Sequence, residues 1–153
     1  LFADDAEWLP RVERFSSKIR EFTSFVAKCY KEAGRLMPTK GTEKVTYHDS
    51  CHMRRGLGVY EEPRELLQAA DGIELVEMKD CDRCCGMAGA FGVKYSEISR
   101  PILKDKVSNI KATGADTVAV ACPACMMQLR GGLDQQAPDI HVRHVADILA
   151  ERL

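Results

Sequence analysis

The sequence predicts an α/β protein: a three-layer domain with a mostly parallel four-stranded sheet, preceded by a long amphipathic helix. Short apolar runs alternate along the chain with helical segments, which is the pattern of strands joined by crossover helices. One of these runs, residues 117–121, contains only β-branched and small apolar residues, as expected of a strand buried on both faces. A chain of 153 residues is most simply one domain of this kind.

Residues 1–38 predict the amphipathic helix, which we interpret as a linker before the domain of residues 39–153. Apolar side chains recur at steps of three and four between Trp8 and Ala33, so they form one stripe along a helix. Gly34 marks its end. We expect the stripe to pack on the domain itself or to dock on a partner or a preceding domain.

The domain is predicted to alternate strands and helices. The predicted strands cover residues 45–48, 73–78, 117–121 and 140–144. The predicted helices cover residues 62–70, a segment that starts between 86 and 95 and ends near 112, residues 125–129, and residues 145–153. Glycines account for two of these helix ends, because Gly114 and the pair Gly131-Gly132 follow the apolar patterns.

Composition and charge exclude several classes of function. The formal net charge is -1 and there is no long basic block, so nucleic acid is not an expected partner. No stretch approaches the roughly 18 to 20 apolar residues of a membrane span. The amino terminus shows neither a secretory signal nor an initiator Met, so we expect a piece of a longer or processed polypeptide. We predict a cytoplasmic location with reduced thiols, and membrane association at most through partner subunits.

Five of the seven cysteines lie in register with the predicted sheet. One follows the first strand, an adjacent pair follows the second, and two follow the third: Cys51, Cys84, Cys85, Cys122 and Cys125. The loops after parallel strands meet at the carboxyl edge, which is the usual binding crevice of an open α/β sheet. The five thiols are therefore predicted to converge, although they are distant in sequence.

The number of these thiols indicates the kind of centre. Four thiolates saturate one tetrahedral zinc ion, so five exceed what a single structural zinc site needs. The side chains of adjacent cysteines diverge and suit a larger, polynuclear centre, so an iron–sulfur cluster is the expected cofactor. Gly86 and Gly89, just after Cys85, are the expected cofactor-binding glycines, since they leave room for an inorganic core and for N–H···S contacts.

Three segments together resemble a known family. Tyr47-His48-Asp49-Ser50-Cys51-His52, Cys84-Cys85-Gly86 with Gly89, and Cys122-Pro123-Ala124-Cys125 are similar in sequence and spacing to the cysteine-rich CCG domain. That family includes the cysteine-rich subunit of heterodisulfide reductase and the iron–sulfur subunits of glycolate oxidase and lactate-utilisation complexes. The resemblance covers roughly residues 45 to 153.

The resemblance implies an electron-transfer domain of an oxidoreductase complex that oxidises a 2-hydroxy acid (lactate or glycolate) or reduces a disulfide. It implies a [4Fe-4S] cluster, of the noncubane type in the heterodisulfide reductase relatives, and partner subunits that carry flavin or iron–sulfur clusters. Those relatives typically carry two such motifs and this chain has one, so it is not expected to be catalytic alone. The implied metal ligands are Cys51, Cys84, Cys85, Cys122 and Cys125.

Two other functions would use some of the same residues. Cys81-x-x-Cys84 with Cys122-x-x-Cys125 would make a four-cysteine zinc site of a structural or interaction domain, and zinc would also substitute for a lost cluster. Cys122-x-x-Cys125 alone, at a strand-to-helix turn, is typical of a thiol–disulfide oxidoreductase.

The side chains around Cys51 are further candidates. His52 is a candidate proton donor, ligand or hydrogen-bond donor to sulfide, whereas Asp49 and Ser50 are expected to cap the following turn. Cys29 lies on the apolar stripe and is predicted to be buried and not a ligand.

Overall fold

The computed structural model describes residues 1–152, which form a four-stranded sheet in the order β2-β1-β3-β4. All three strand pairs are parallel, so the predicted α/β fold is confirmed. The strands are β1 (Gly41–His48), β2 (Gly72–Leu75), β3 (Thr117–Val120) and β4 (His141–His144). The helices are α1 (Leu9–Ser16), α2 (Phe22–Glu32), α3 (Glu62–Ala69), α4 (Phe91–Lys94), α5 (Ser96–Ala112), α6 (Pro123–Gln136) and α7 (Val145–Arg152), and a short π-helix (His52–Leu57) follows β1.

Helices cover both faces of the sheet and give the predicted three layers. On one face, Leu66 of α3 and Ile148 of α7 pack with Val45 and Tyr47 of β1. Side chains alternate between the two faces of a strand, so Thr46 and His48 lie on the opposite face and are fully buried there. The apolar and polar residues of β1 are thereby divided between the two cores.

The second core connects the fold to the cysteines. Val107 of α5 and Leu129 of α6 pack with Val118 of β3, and Cys85 and Cys125 belong to the same buried cluster. Two of the five thiols therefore lie at the end of a hydrophobic core. No helix among residues 1–152 has the length and apolar character needed to cross a membrane.

The amino-terminal segment differs from the single long helix predicted for it. The chain forms two helices, and α2 has its own cap, because the Glu21 carboxylate accepts a hydrogen bond of 2.8 Å from the Ser24 N–H. Helix α1 has no buried residue, and Phe15 is 68% exposed. An isolated helix is only marginally stable in water, so the apolar stripe cannot by itself keep one helix continuous. Cys29, predicted to be buried, is exposed.

Helix α6 also differs from its prediction. It continues to Gln136 and does not end at Gly131-Gly132. Gly132 is buried against α5, and a Cβ at this position would lie 2.9 Å from Cδ1 of Leu103. This glycine therefore serves close packing of two helices rather than a helix end. Close packing compensates the lower helix propensity of glycine.

Two further strand boundaries differ from the sequence prediction. Strand β1 begins at Gly41 because residues 41–45 pair with β2, whereas the predicted strand began at Val45. Strand β2 ends at Leu75, three residues before the predicted end, and the chain beyond it forms the loop that carries the cysteine pair.

The last helix extends to Arg152; its predicted last residue, Leu153, lies outside the described residues.

The two adjacent glycines of α6 provide a matched test of this packing. We expect Gly131→Ala to raise the free energy of unfolding by up to about 1 kcal/mol, because alanine favours the helix and no atom lies within 4 Å of the new methyl group. Gly132→Ala should lower it by about 1–2 kcal/mol, because the methyl group would displace Leu103. Chemical denaturation measures both; equal effects would contradict the close contact.

Candidate metal centre

The sheet places all three cysteine groups at its carboxyl edge. His48 and Val120 are register partners at the ends of β1 and β3. The loops that carry Cys51 and Cys122 therefore start side by side. The loop after β2 runs along the same edge, because the Asp49 N–H donates to the carbonyl oxygen of Cys81 at 3.2 Å. The cysteine pair follows directly.

The five thiols form two neighbouring groups at this edge. Cys84 lies against the Cys51 thiol, and both side chains are partly exposed. Cys85 is buried and contacts Cys125, which in turn contacts Cys122. The structure thus brings together the five cysteines that the sequence singled out. Their assignment as metal ligands stays a prediction.

His48 is a member of this group that the sequence analysis did not choose as a ligand. Its side chain is fully buried, and neither ring nitrogen has a hydrogen-bond partner. The ring lies with Cys85 and Cys125 so that one ligand atom from each falls within 4.8 Å of the others. The described residues therefore contain a buried His/Cys/Cys group able to hold a metal. The alternation of β1 was the available signal, because it directs His48 to the face of α5 and α6.

The two buried thiols, Cys85 and Cys125, differ in acidity. The hydrogen bond with Cys125 lowers the pKa of Cys85, and the nearby His48 ring and the Met87 N–H act in the same direction against the effect of burial. The same hydrogen bond and burial raise the pKa of Cys125. The pair therefore loses one proton readily and retains the other. A thiolate is the form that binds metal.

Gly86 shapes the backbone around the cysteine pair. Its N–H donates to the Sγ of Cys84 at 3.3 Å, which opposes the rise in the pKa of Cys84 caused mainly by burial. It has φ +92°, and a Cβ here would lie 2.8 Å from the Ser99 carbonyl oxygen. The Ser99 hydroxyl donates to the Gly86 carbonyl oxygen at 2.9 Å and accepts from Gln128 Nε2 at 3.0 Å. Glycine is therefore needed both for conformation and for close approach.

The other two predicted cofactor-binding residues have different surroundings. Gly89 has φ +61°, and a Cβ at this position would have no atom within 4 Å, so its backbone conformation alone favours glycine. His52 begins the π-helix with an exposed side chain. The histidine that lies against the thiols is His48. A role of Gly89 and His52 at the centre stays a prediction.

A buried carboxylate holds the cysteine loops together. The side chain of Asp49 is 1% exposed and accepts hydrogen bonds from Arg54 at 2.7 Å and Arg64 at 2.8 Å. Arg64 also binds Glu77 at 2.5 Å, and the Cys81 thiol lies 3.6 Å from Asp49. Burial, followed by the Asp49 charge, raises the pKa of Cys81. Asp49 thus connects β1 to the π-helix, α3 and the loop after β2.

Of the two predicted turn caps, Ser50 caps the turn and Asp49 does not. The Ser50 hydroxyl accepts a hydrogen bond from the Met53 N–H at 3.3 Å, so this residue caps the turn as predicted. Asp49 binds the two arginines instead. The reason is tertiary, because Arg64 lies on α3 and reaches Asp49 only in the folded chain.

Lys106 stabilises the loop before the cysteine pair. It lies on α5 and is 2% exposed, and its Nζ donates to the carbonyl oxygens of Asp80 at 2.5 Å and Cys81 at 3.3 Å. Asp80 has φ +54°, an unusual conformation for a residue other than glycine. Burial lowers the pKa of Lys106, while the nearby Cys81 and Cys85 sulfurs raise it. The lysine fixes the loop backbone at two successive carbonyl groups.

The fold and the site define a class: an α/β domain whose parallel strands bring cysteines from three loops to one edge. The chain belongs to the cysteine-rich domain family, called CCG, whose model matches residues 45–130. The resemblance inferred from the sequence motifs is confirmed.

Several curated relatives are similar along nearly the whole chain. Lactate utilization protein A of Shouchella clausii is 39% identical over 97% of this chain and 62% of its own length. The protein of that name from Lysinibacillus sphaericus is 38% identical over 97% and 64%. Lactate utilization protein A 1 of Bacillus anthracis is 36% identical over 100% and 62%. The chain thus spans less than two thirds of the length of these relatives.

The thiol pair generates a prediction about pH. In reduced, metal-free protein we expect one thiolate to form below the ordinary cysteine range, because the Cys125 hydrogen bond lowers the pKa of Cys85. Its contribution to stability should be present above the unfolded-state pKa and be lost as pH falls through the lower folded value. Ultraviolet thiolate absorbance measures the ionisation. Cys125→Ala should move it upward and Cys29→Ala should not; a single transition in the ordinary range would contradict the pairing.

The Asp49 network generates a second prediction, with a control that shares Arg64. Asp49→Ala should lower the free energy of unfolding by about 1.5–3 kcal/mol, because it removes the charge-assisted hydrogen bonds from Arg54 and Arg64 to a buried carboxylate. Glu77→Ala should cost only about 0–1 kcal/mol, because that carboxylate is 50% exposed. Thermal or chemical denaturation compares them. Similar losses for both variants would show that Asp49 is not the centre of the network.

Proposed function

We propose that this chain is the iron–sulfur domain of an oxidoreductase that serves lactate utilisation, and that it passes electrons between subunits. The carrying observation is the division of the five thiols. Cys84 and Cys85 are adjacent, yet one lies against Cys51 and the other against Cys125. One small ion cannot use two such groups equally, whereas a polynuclear cluster offers separate metals to each. The similarity to proteins named lactate utilization protein A supports the assignment to lactate utilisation.

The residues fit a cluster with a thiolate ligand set. Cys51, Cys84, Cys85, Cys122 and Cys125 are the proposed ligands, and a noncubane [4Fe-4S] cluster is the proposed type. Such a cluster, when bound, takes up and passes on single electrons. The chain would hold it through thiolates, donate the Gly86 N–H toward sulfur, and keep Cys85 and Cys125 away from water by burial. His48, with both nitrogens unpartnered, is a further group that would contact it.

The amino-terminal segment supports a place within a larger assembly. We propose residues 1–38 as a linker and residues 39–153 as the cysteine-rich domain. Phe15, Ile19 and Phe25 are 68%, 60% and 53% exposed, and apolar side chains in such numbers favour contact with another protein surface. We propose that this surface belongs to a flavin- or iron–sulfur-carrying subunit or domain in the cytoplasm. The chain would then be an electron carrier that is not catalytic alone.

A zinc site is the second candidate, for a specific reason. The group of His48, Cys85 and Cys125 already has the compactness and chemistry of a zinc site. The version with four cysteines is less favoured, because the Cys81 thiol lies 3.5 Å from Arg64 and 3.6 Å from Asp49. A thiol–disulfide oxidoreductase based on Cys122 and Cys125 is also less favoured, since Cys125 contacts Cys85 as well, a third thiol that such an enzyme does not need.

Metal analysis tests the proposal. After anaerobic purification we expect iron and acid-labile sulfide with broad visible absorption. Alanine at any of the five proposed ligands should reduce iron content severalfold, because each removes a thiolate that no neighbour replaces. Cys29→Ala should retain the wild-type content, since Cys29 is exposed on α2.

The alternatives predict other results in the same experiment. A colourless protein with zinc, unaffected by Cys51→Ala but emptied by His48→Ala, would replace the cluster with the His/Cys/Cys zinc site. Disulfide-exchange turnover that survives Cys51→Ala and Cys85→Ala would support the thiol–disulfide function. Loss of iron in Cys29→Ala would contradict the ligand assignment.

A further inference from the structure

A separate cavity opens beside Cys84, on the side of the thiol group that faces α5. Its volume is about 280 Å³, close to the lower end of the range for small-molecule sites. Only one of the five thiols lines it, so it adjoins the thiol group without coinciding with it. The π-helix, the loop before the cysteine pair and α5 contribute its walls: Arg55, Arg83, Cys84, Ile102, Asp105 and Lys106.

The charges of this cavity favour an anion. Arg55 takes part in none of the ion pairs formed by residues 1–152, and Arg83 meets Asp80 only at 3.4 Å. Both arginine side chains are exposed, so they are free to turn toward a ligand. Buried Lys106 adds a third cationic group, which the loop carbonyls hold in place. A guanidinium binds a carboxylate through two parallel hydrogen bonds.

The remaining lining residues narrow the class of anion. Asp105 is an acceptor that suits a hydroxyl group and repels a second negative charge, which disfavours a phosphate dianion. Ile102 presents an apolar surface to a short carbon chain. A molecule with one carboxylate, one hydroxyl group and a small carbon skeleton matches the arginines, the Asp105 acceptor and the apolar surface of Ile102.

We propose that this cavity binds a small 2-hydroxy carboxylate, with its carboxylate on Arg55 and Arg83 and its hydroxyl group on Asp105. The inference rests on the proposed function, because it takes the substrate class of the complex and assigns it a site on this chain. The ligand would lie next to Cys84, at the partly exposed side of the thiol group. Lys106 would act as a positioning residue through the loop that carries Arg83.

Binding of L-lactate to the purified protein tests the proposal by isothermal titration calorimetry, with propionate as the analogue that lacks the hydroxyl group. We expect L-lactate to bind more tightly than propionate. The double variant Arg55→Gln/Arg83→Gln should weaken both ligands at least about tenfold, because it removes the charge-assisted hydrogen bonds. The control Arg14→Gln/Lys18→Gln removes the same charge from exposed positions of the amino-terminal segment and should change neither affinity.

Asp105→Asn separates hydroxyl recognition from charge. This variant removes a negative charge but keeps a weaker, neutral acceptor oxygen, so it should strengthen the binding of both anions while it lowers the preference for L-lactate over propionate. Wild-type affinity in the arginine double variant would overturn the proposal. Equal competition by chloride or inorganic phosphate would also overturn it, since the cavity would then be a non-selective anion site.

Metal content distinguishes this inference from the proposed function. Protein that carries iron and sulfide but binds no L-lactate would refute the lactate site and leave the electron-transfer role intact. Protein that binds L-lactate through Arg55 and Arg83 but carries only zinc after anaerobic purification and anaerobic incubation with iron and sulfide would support the site and refute the iron–sulfur proposal.

Discussion

The parallel pairing of β1 with both of its neighbours is the constraint on which the rest of the structure depends. Val45 pairs with Leu75 of β2, and His48 pairs with Val120 of β3. The carboxyl ends of these strands are thereby aligned, and the loops that bear cysteines emerge at one edge. A shift of β1 by one residue would turn His48 toward α3 and α7 and away from the thiols. Register therefore decides the composition of the candidate centre.

Buried polar side chains hold the loops at the carboxyl edge of the sheet. Asp49 and Lys106 are almost fully buried, but each has its partners within the chain: two arginines for Asp49, two carbonyl groups for Lys106. Burial of an unpaired charge would be costly, so these networks fix the loops on either side of the thiols. His48 is equally buried and has no hydrogen-bond partner, and it is the one of the three that faces the thiols directly. The loops are thus held from outside the site.

Local sequence patterns predicted which strands and helices form better than they predicted where these end and what packs against them. The β-branched run of β3 and the periodic helices gave the alternating fold, because those patterns report burial directly. The prediction of one long amino-terminal helix was wrong, since periodicity shows a stripe but not whether anything covers it. The helix end at Gly131-Gly132 was also wrong, since glycine marks either an end or a close approach, and only Leu103 of α5 distinguishes them. Cys29 lies on that uncovered stripe, so it is exposed although the pattern predicted burial.

The sequence by itself determined the α/β class, the three loops that carry cysteines and the family, because strand periodicity and cysteine spacing are properties of the chain alone. Tertiary structure decided which side chains meet. It divided Cys84 from Cys85, brought His48 rather than His52 against the thiols, and closed the Asp49 network across three elements. The physical reason is that contact between residues distant in sequence follows from strand register and helix packing, and no local pattern encodes either of them completely.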